Sequence, residues 1–90
     1  MFTVPRQPGE KLGMSGRRAK VAKKRLAENV RRIRLAREMK QTELAMRSRV
    51  TQALISAIEL QEANPTIESL YRIAQALEVD LTELFAATET

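Results

Sequence analysis

The side chains best placed for chemistry lie between Lys40 and Leu60, and they are hydrogen-bonding groups. Gln41 opens one helical pattern, Thr51 stands where its hydroxyl can cap a second one, and Gln52 projects from the first turn of that second helix. The chain has no histidine and no cysteine, so a nucleophile–base pair and a His/Cys metal cluster are both excluded, and no glycine-rich phosphate loop occurs. We therefore expect recognition by hydrogen bonding, with no enzymatic activity, metal, cofactor or small-molecule ligand.

The apolar residues of the same stretch fit two short helices joined by a tight turn. They are the second and third helices of the chain, predicted over residues 41–48 and about residues 52–60. Between them, Arg49 takes the left-handed turn position that glycine usually occupies. The residues spaced to face one core are Leu44, Ala45, Val50, Ile55 and Ile58. This is the layout of a helix-turn-helix, which presents its second helix to DNA.

Three further helices are predicted around this pair. Apolar residues recur at helical spacing on one face from Ser15 onward, so the first helix of the chain is predicted to extend from Ser15 to Glu38. Thr66 caps a fourth helix over about residues 67–77, and Asp80 with Glu83 forms a capping box in front of a short fifth helix. Five helices without a strand pattern predict an all-α fold of crossed helices.

The pattern divides the chain into four segments. We assign residues 1–14 to a flexible N-terminal arm, 15–25 to a basic extension of the first helix, 26–86 to the helix-turn-helix domain and 87–90 to a loose tail. Met14 is an alternative translation start, in which case residues 1–13 would not belong to the native protein.

Charge is distributed in a steep gradient along the chain. The formal net charge of +5 combines +7 in residues 1–25, +4 in residues 26–49 and −6 from Val50 onward. Such a gradient draws the N-terminal end to a polyanion and repels the C-terminal end from it, although a plain solvated surface would show similar charge. The run RRAKVAKKR, with six positive charges and no negative one, favours a nucleic-acid partner.

The absence of certain segments bounds the compartment. No apolar run approaches the length of a membrane span, no secretory signal is present and cysteine is missing, so a cytoplasmic protein without membrane contact is expected.

The segments IRLAREMKQTELAMRSRVTQALISAIE and NPTIESLYRIAQALEVDLTELF resemble the Cro and lambda-repressor-like family, also called the XRE family, over about residues 26–86. The ending TIESLYRIAQALEVDLTELF is similar to small stand-alone regulators, including the controller proteins of restriction-modification systems. The resemblance implies a five-helix lambda-repressor-like DNA-binding domain that regulates transcription.

The family's pattern, carried over residue by residue, implies a set of DNA contacts. Gln41 would bind a phosphate, and Gln52 would make a bidentate contact to adenine from the major groove. Further base-contact positions are Ala53, Ser56 and Ala57, where this sequence has smaller side chains than the better-known phage repressors. Further phosphate contacts are expected at Lys40, Arg47, Arg49 and Thr51.

The same pattern implies one structural contact and one interface. Arg34 and Glu59 occupy positions that the family uses for a buried ion pair. Separately, we expect a homodimer through Leu81, Leu84 and Phe85, because their helix is too short to serve the core alone. A two-fold dimer requires a palindromic operator.

Two other functions stay open at this point. One is a protein-interaction module or antitoxin-type partner that keeps the fold without DNA readout, suggested by the small Ala53 and Ala57 and by Leu54 and Leu60, which read as exposed. The other is an RNA binder, which lacks the stacking aromatic residues that single-stranded RNA recognition uses.

Overall fold

The structure, a computed structural model, describes residues 12–88, with side chains from Gly16 onward. Within this range the chain forms four α-helices and no strand: α1 (Leu12–Ala36), α2 (Gln41–Ser48), α3 (Gln52–Glu59) and α4 (Ile67–Leu77). The last element is a single 3₁₀ helix, Leu81–Phe85, where the sequence predicted a fifth α-helix. The predicted all-α class is confirmed.

The core forms where the apolar faces of these elements meet. Along its second half α1 packs against α3 and the 3₁₀ helix, while α2 packs against α3 and α4, so that each short helix is stabilised by burial rather than by its own length. The apolar side chains with almost no exposed surface are Val30, Leu44, Ile55, Ile58, Ile73, Leu77 and Leu84. All but Leu84 lie at the positions that the helical periodicity predicted.

α1 begins earlier than the sequence predicted. It starts at Leu12, so residues 12–14 of the predicted flexible arm are helical, and the basic extension over residues 15–25 is continuous with the domain's first helix. Residues 1–11 of that arm and residues 89–90 of the predicted tail lie outside the described range. None of the helices in residues 12–88 combines the length and the apolar character that a membrane crossing requires.

The predicted helix caps are confirmed where a hydroxyl supplies them and wrong where a charged residue does. Thr51 accepts a hydrogen bond from the Leu54 amide at 3.1 Å, and Thr66 accepts one from the Ser69 amide at 3.0 Å. Asp80 makes no side-chain cap. The predicted capping box is therefore absent, and the 3₁₀ turn is closed instead by the backbone, from the Glu83 amide to the Asp80 carbonyl at 2.9 Å.

Helix ends in this chain use left-handed backbone without glycine. Arg49 has φ 60° and ψ 40° at the end of α2, as the sequence predicted. Glu38, Gln61 and Glu78 also have φ values between 58° and 64°. An L-residue in this conformation brings its Cβ close to the backbone, so each of these four positions carries some strain.

The 3₁₀ helix is fastened to α1 by a buried amide. Asn29 is 1% exposed and donates from Nδ2 to the carbonyl oxygens of Leu84 and Ala86, at 3.0 and 2.9 Å. Beyond them, the Thr88 hydroxyl hydrogen-bonds the Glu28 carboxylate, so this part of the predicted loose tail contacts α1. The C-terminal segment therefore belongs to the core rather than standing apart from it.

This attachment corrects one predicted dimer contact. Leu84 is 0% exposed because it fills the space between α1 and α4, so its side chain offers no surface to a second chain. Leu81 and Phe85 are half-buried and keep part of their surface open. An interface through these two residues stays a prediction.

Candidate nucleic-acid interface

The outward face of α3 consists of small and polar side chains. Thr51, Gln52 and Ala53 are exposed at its first turn, and Ser56 is half-buried one turn further on. Ala57, which was expected to face a groove, is half-buried and packs against the core. The part of α3 that can approach another molecule is therefore its N-terminal half.

Two leucines that read as exposed from the sequence differ in the structure. Leu54 is half-buried and packs against the core, so this expectation is wrong for it. Leu60, at the end of α3, is 61% exposed. Of these two leucines, Leu60 is therefore the one that exposes most of its apolar surface.

The predicted ion pair is present and joins α1 to the end of α3. Arg34 donates from Nε to Glu59 Oε2 at 2.8 Å and from Nη2 to Glu59 Oε1 at 3.0 Å, a bidentate arrangement. A third donor, Nη1, binds the carbonyl oxygen of Met39 at 2.8 Å. The two side chains are only 10% and 4% exposed, so the pair is largely shielded from water. It fixes the position of the Glu59 carboxylate.

From this carboxylate a chain of hydrogen bonds runs to the surface of α3. Gln41 donates from Nε2 to Glu59 Oε1 at 3.1 Å, and Gln52 donates from Nε2 to Gln41 Oε1 at 3.0 Å. We call Arg34, Glu59, Gln41 and Gln52 the polar chain. The sequence placed both glutamines at helix starts but did not predict that they bind each other, because that contact depends on how α2 and α3 cross.

The polar chain fixes which way each amide points. An ionised carboxylate can only accept, so Gln41 must turn its NH₂ group toward Glu59 and its oxygen toward Gln52. Gln52 must then donate to Gln41. Each NH₂ group has a second N–H, and the oxygen of Gln52 accepts no hydrogen bond from the described residues. Gln52 therefore presents one acceptor and one donor outward, the pair that complements the N6 and N7 edge of adenine.

The cations near this face differ in whether they already form an ion pair. Lys40 precedes α2, Arg49 lies in the turn before α3, and both are exposed without an ion-pair partner in residues 12–88. Arg47 is exposed as well, but it pairs with Glu43 at 2.8 Å along α2. Two of the three predicted phosphate-binding cations are therefore available without breaking another contact.

A buried serine to which the sequence gave no role holds the turn between α2 and α3. Ser48 is 1% exposed, and its hydroxyl donates to the Leu44 carbonyl at 2.6 Å. Its signal in the sequence is its spacing, since it lies four residues after Leu44 on the same face of α2. This bond satisfies the hydroxyl inside the core, where an unpaired one would be costly.

The described residues contain no grouping of His, Cys, Asp or Glu side chains that could hold a metal ion. What α2 and α3 present at one face is a set of hydrogen-bond donors, hydrogen-bond acceptors and cations.

Known proteins share this arrangement in both sequence and structure. The profile of the helix-turn-helix family HTH_3 matches residues 30–84. An uncharacterized HTH-type transcriptional regulator of Sinorhizobium fredii, y4dJ, is 36% identical over 67 residues, which make up 74% of this chain and 87% of that relative.

Three solved structures superpose on the fold. A point mutant of the restriction-modification controller protein C.Esp1396I matches with a TM-score of 0.63 and 36% identity, over 73% of this chain and 85% of that one. An HTH_3 family transcriptional regulator from Vibrio cholerae matches with a TM-score of 0.70 and 28% identity over 74% of this chain, which spans only 38% of that longer protein. A hypothetical transcription factor from Neisseria shares the fold at a TM-score of 0.71 and 23% identity, over 96% and 90% of the two chains.

The family profile covers more than half of the chain, and it includes both helices of the helix-turn-helix and the polar chain between them. The resemblance found in the sequence is thereby confirmed, and the chain belongs to the HTH_3 family of helix-turn-helix transcriptional regulators, which bind DNA.

Proposed function

We propose that the protein recognises a specific double-stranded DNA site as a homodimer and that Gln52 reads a base in each half-site. The observation that carries this proposal is the polar chain, in which a buried ion pair orients Gln41 and Gln41 orients Gln52. A side chain held in advance loses little conformational freedom on binding, which favours specific contact over loose attraction. The Gln52 amide would bind adenine in the major groove.

The phosphate contacts follow from the same geometry. Gln41 keeps one N–H that no described residue uses, and it lies at the start of α2, where the helix dipole favours a negative group. Lys40 and Arg49 add exposed positive charge on either side of α2, and the Thr51 hydroxyl can donate while its oxygen caps α3. These contacts position the protein without reading the sequence.

The homodimer and the palindromic operator complete the proposal. Leu81 and Phe85 are half-buried at the end of the chain and could bury their remaining surface against a second copy. A two-fold dimer would place two copies of α3 about 34 Å apart, one turn of DNA. The similarity to the controller protein C.Esp1396I is compatible with a small regulator of this kind.

The test compares three glutamines on duplexes chosen by in vitro selection. Gln52→Ala should weaken binding to the selected site by about 1–3 kcal/mol and relax the preference at one base pair per half-site, with little effect on random duplex. Gln41→Ala should weaken binding to every duplex, because it removes a backbone contact, and should also lower the preference for the selected site in part, because Gln52 loses the group that orients it. Gln75→Ala is the matched control, since Gln75 is an exposed amide on α4 whose side chain donates a hydrogen bond to Tyr71. It should change neither the affinity for DNA nor the preference for the selected site.

One result would favour the interaction-module function instead. If Gln52→Ala lowers affinity equally on the selected site, its single-base variants and random duplex, then Gln52 reads no base. The exposed Leu60 beside the small Ala53 would then be the better candidate for a contact, with a protein rather than with DNA.

A further inference from the structure

A groove lined by positive charge lies between α1 and the loop that follows α3. One wall consists of side chains from residues 17–24 of α1, and the other is Gln61, two residues after the end of α3. Its lining residues are Arg17, Lys20, Val21, Lys23, Lys24 and Gln61. We call this surface the basic groove.

The four cations of the basic groove have no ion-pair partner in residues 12–88. Their spacing of three and four residues places neighbouring positive charges side by side on α1, where they repel one another. The nearest acidic residue along the loop, Glu62, is exposed and does not line the groove. The groove is thus a concentration of positive charge that lacks its counter-charge.

The basic groove lies next to the C-terminal end of α3, the helix that we expect to enter the major groove. Arg49 precedes α3 and Gln61 follows it, so cationic or polar groups stand at both ends of this helix. A helix in the major groove is bordered by phosphates on both sides, since the groove is only about 12 Å wide. The phosphates near the C-terminal end of α3 would therefore lie close to the basic groove.

We propose that the basic groove binds the DNA phosphate backbone at the C-terminal end of α3, as a second backbone contact separate from the one at Lys40, Gln41 and Arg49. The proposal rests on the proposed function, because it uses the placement of α3 in the major groove. It assigns the cations of α1 to one face and one stretch of backbone. The side-chain amide of Gln61, which lines the groove, supplies a neutral donor beside them.

The test neutralises two charges on each of two faces of α1. Lys20→Gln with Lys24→Gln removes charge from the basic groove, whereas Arg18→Gln with Arg25→Gln removes the same charge from the side of α1 that faces Phe85. Glutamine, lysine and arginine have similar helix propensities, so both double variants should fold. Binding of the full chain to its selected duplex is then measured across salt concentrations, with hydroxyl-radical footprints of each complex.

We expect the groove variant to flatten the slope of log K against log salt by about 0.9 for each phosphate that the protein no longer neutralises, or about 3.6 for the four phosphates in a complex of two protomers. It should show less backbone protection at one edge of each half-site while keeping the wild-type ratio between the selected site and its single-base variants. The variant with Arg18 and Arg25 replaced should keep the wild-type slope and footprint.

Two results would overturn the proposal while leaving the proposed function intact. Equal flattening in both variants would mean that the charges act as a diffuse field without a site. Unchanged slopes in both would mean that the groove does not touch DNA. If the wild-type protein shows no preferred duplex at all, then the proposed function itself is wrong. That result differs from both of the slope results, so the failure of the proposed function can be told from the failure of the basic-groove proposal.

Discussion

Two parts of the continuous helix α1 differ in what surrounds them. Residues 26–36, the packed half, lie between α3 and the 3₁₀ helix, whereas residues 16–21, in the extended half, are exposed. Apolar residues recur at helical spacing in both halves. In the packed half Val30 is 0% exposed, and in the extended half Val21 is 44% exposed. The two halves therefore share a sequence pattern and differ in what covers it.

The difference shows that helical periodicity predicts a helix and not its burial. What marks the packed half is its polar side chains, because Asn29 donates to two carbonyl groups of the C-terminal segment and Arg34 binds Glu59 of α3. The four cations of the basic groove, by contrast, have no ion-pair partner in residues 12–88. Polar groups with partners on other elements mark the half of α1 that holds the fold, and the cations of the basic groove mark the half for which we propose a DNA contact.

The largest effect is expected from breaking the ion pair that anchors the packed half. Glu59→Ala leaves the Arg34 guanidinium buried beside Met39 without its bidentate partner, which should cost about 3–5 kcal/mol of unfolding free energy. That is a large share of the stability of a domain this small. Chemical denaturation followed by circular dichroism measures it.

The matched control for this variant is Glu68→Ala on α4. Glu68 pairs with Arg72 at 2.6 Å, but their side chains are 73% and 40% exposed, so the decrease in stability should be about 0.5 kcal/mol or less. Equal midpoints for the two variants would show that the buried pair contributes no more than the exposed one.

The next effect compares the halves directly through two valines. Val30→Ala empties space in the core and should cost roughly 2 kcal/mol, because it reduces apolar burial and leaves a cavity behind. Val21→Ala should be neutral or slightly stabilising, because the residue is exposed and alanine is the better helix former. Thermal melts of the two variants provide the measurement. A destabilisation at Val21 as large as that at Val30 would show that another part of the protein covers the extended half.

The smallest effect concerns the end of the packed half, where Glu38 closes α1 with φ 58°. Glu38→Gly should stabilise the domain by about 1 kcal/mol, since glycine adopts this conformation without a Cβ clash. The control is Arg31→Gly, at an exposed interior position of α1, which should destabilise by about 1 kcal/mol. Both are read from the same denaturation curves, and the prediction fails if the two changes have the same sign.

The features that the sequence predicted are those set by neighbours along the chain. The Thr51 and Thr66 caps and the left-handed Arg49 depend on three or four consecutive residues. The pair of Arg34 and Glu59, 25 residues apart, was reached only through resemblance to a family, because no local rule joins them.

The features that the sequence did not predict depend on how the helices cross. The hydrogen bond between Gln41 and Gln52 requires two helix starts to lie within reach of each other. The burial of Leu84 was missed because its element is too short to show a period. Asn29 was missed because a polar residue among apolar ones reads as a gap in the pattern rather than as a contact.

The attachment of the 3₁₀ helix to α1 has a consequence for synthesis on the ribosome. Asn29 finds its acceptors 55 and 57 residues later in the chain, at Leu84 and Ala86. Until that segment emerges, the Nδ2 group of Asn29 lacks both of these acceptors, and the apolar surface that Leu84 covers stays exposed to water. Long-range closure of this kind delays folding until the loop can close. We expect the domain to form in one late cooperative step, after α1 has waited through the emergence of every helix that follows it.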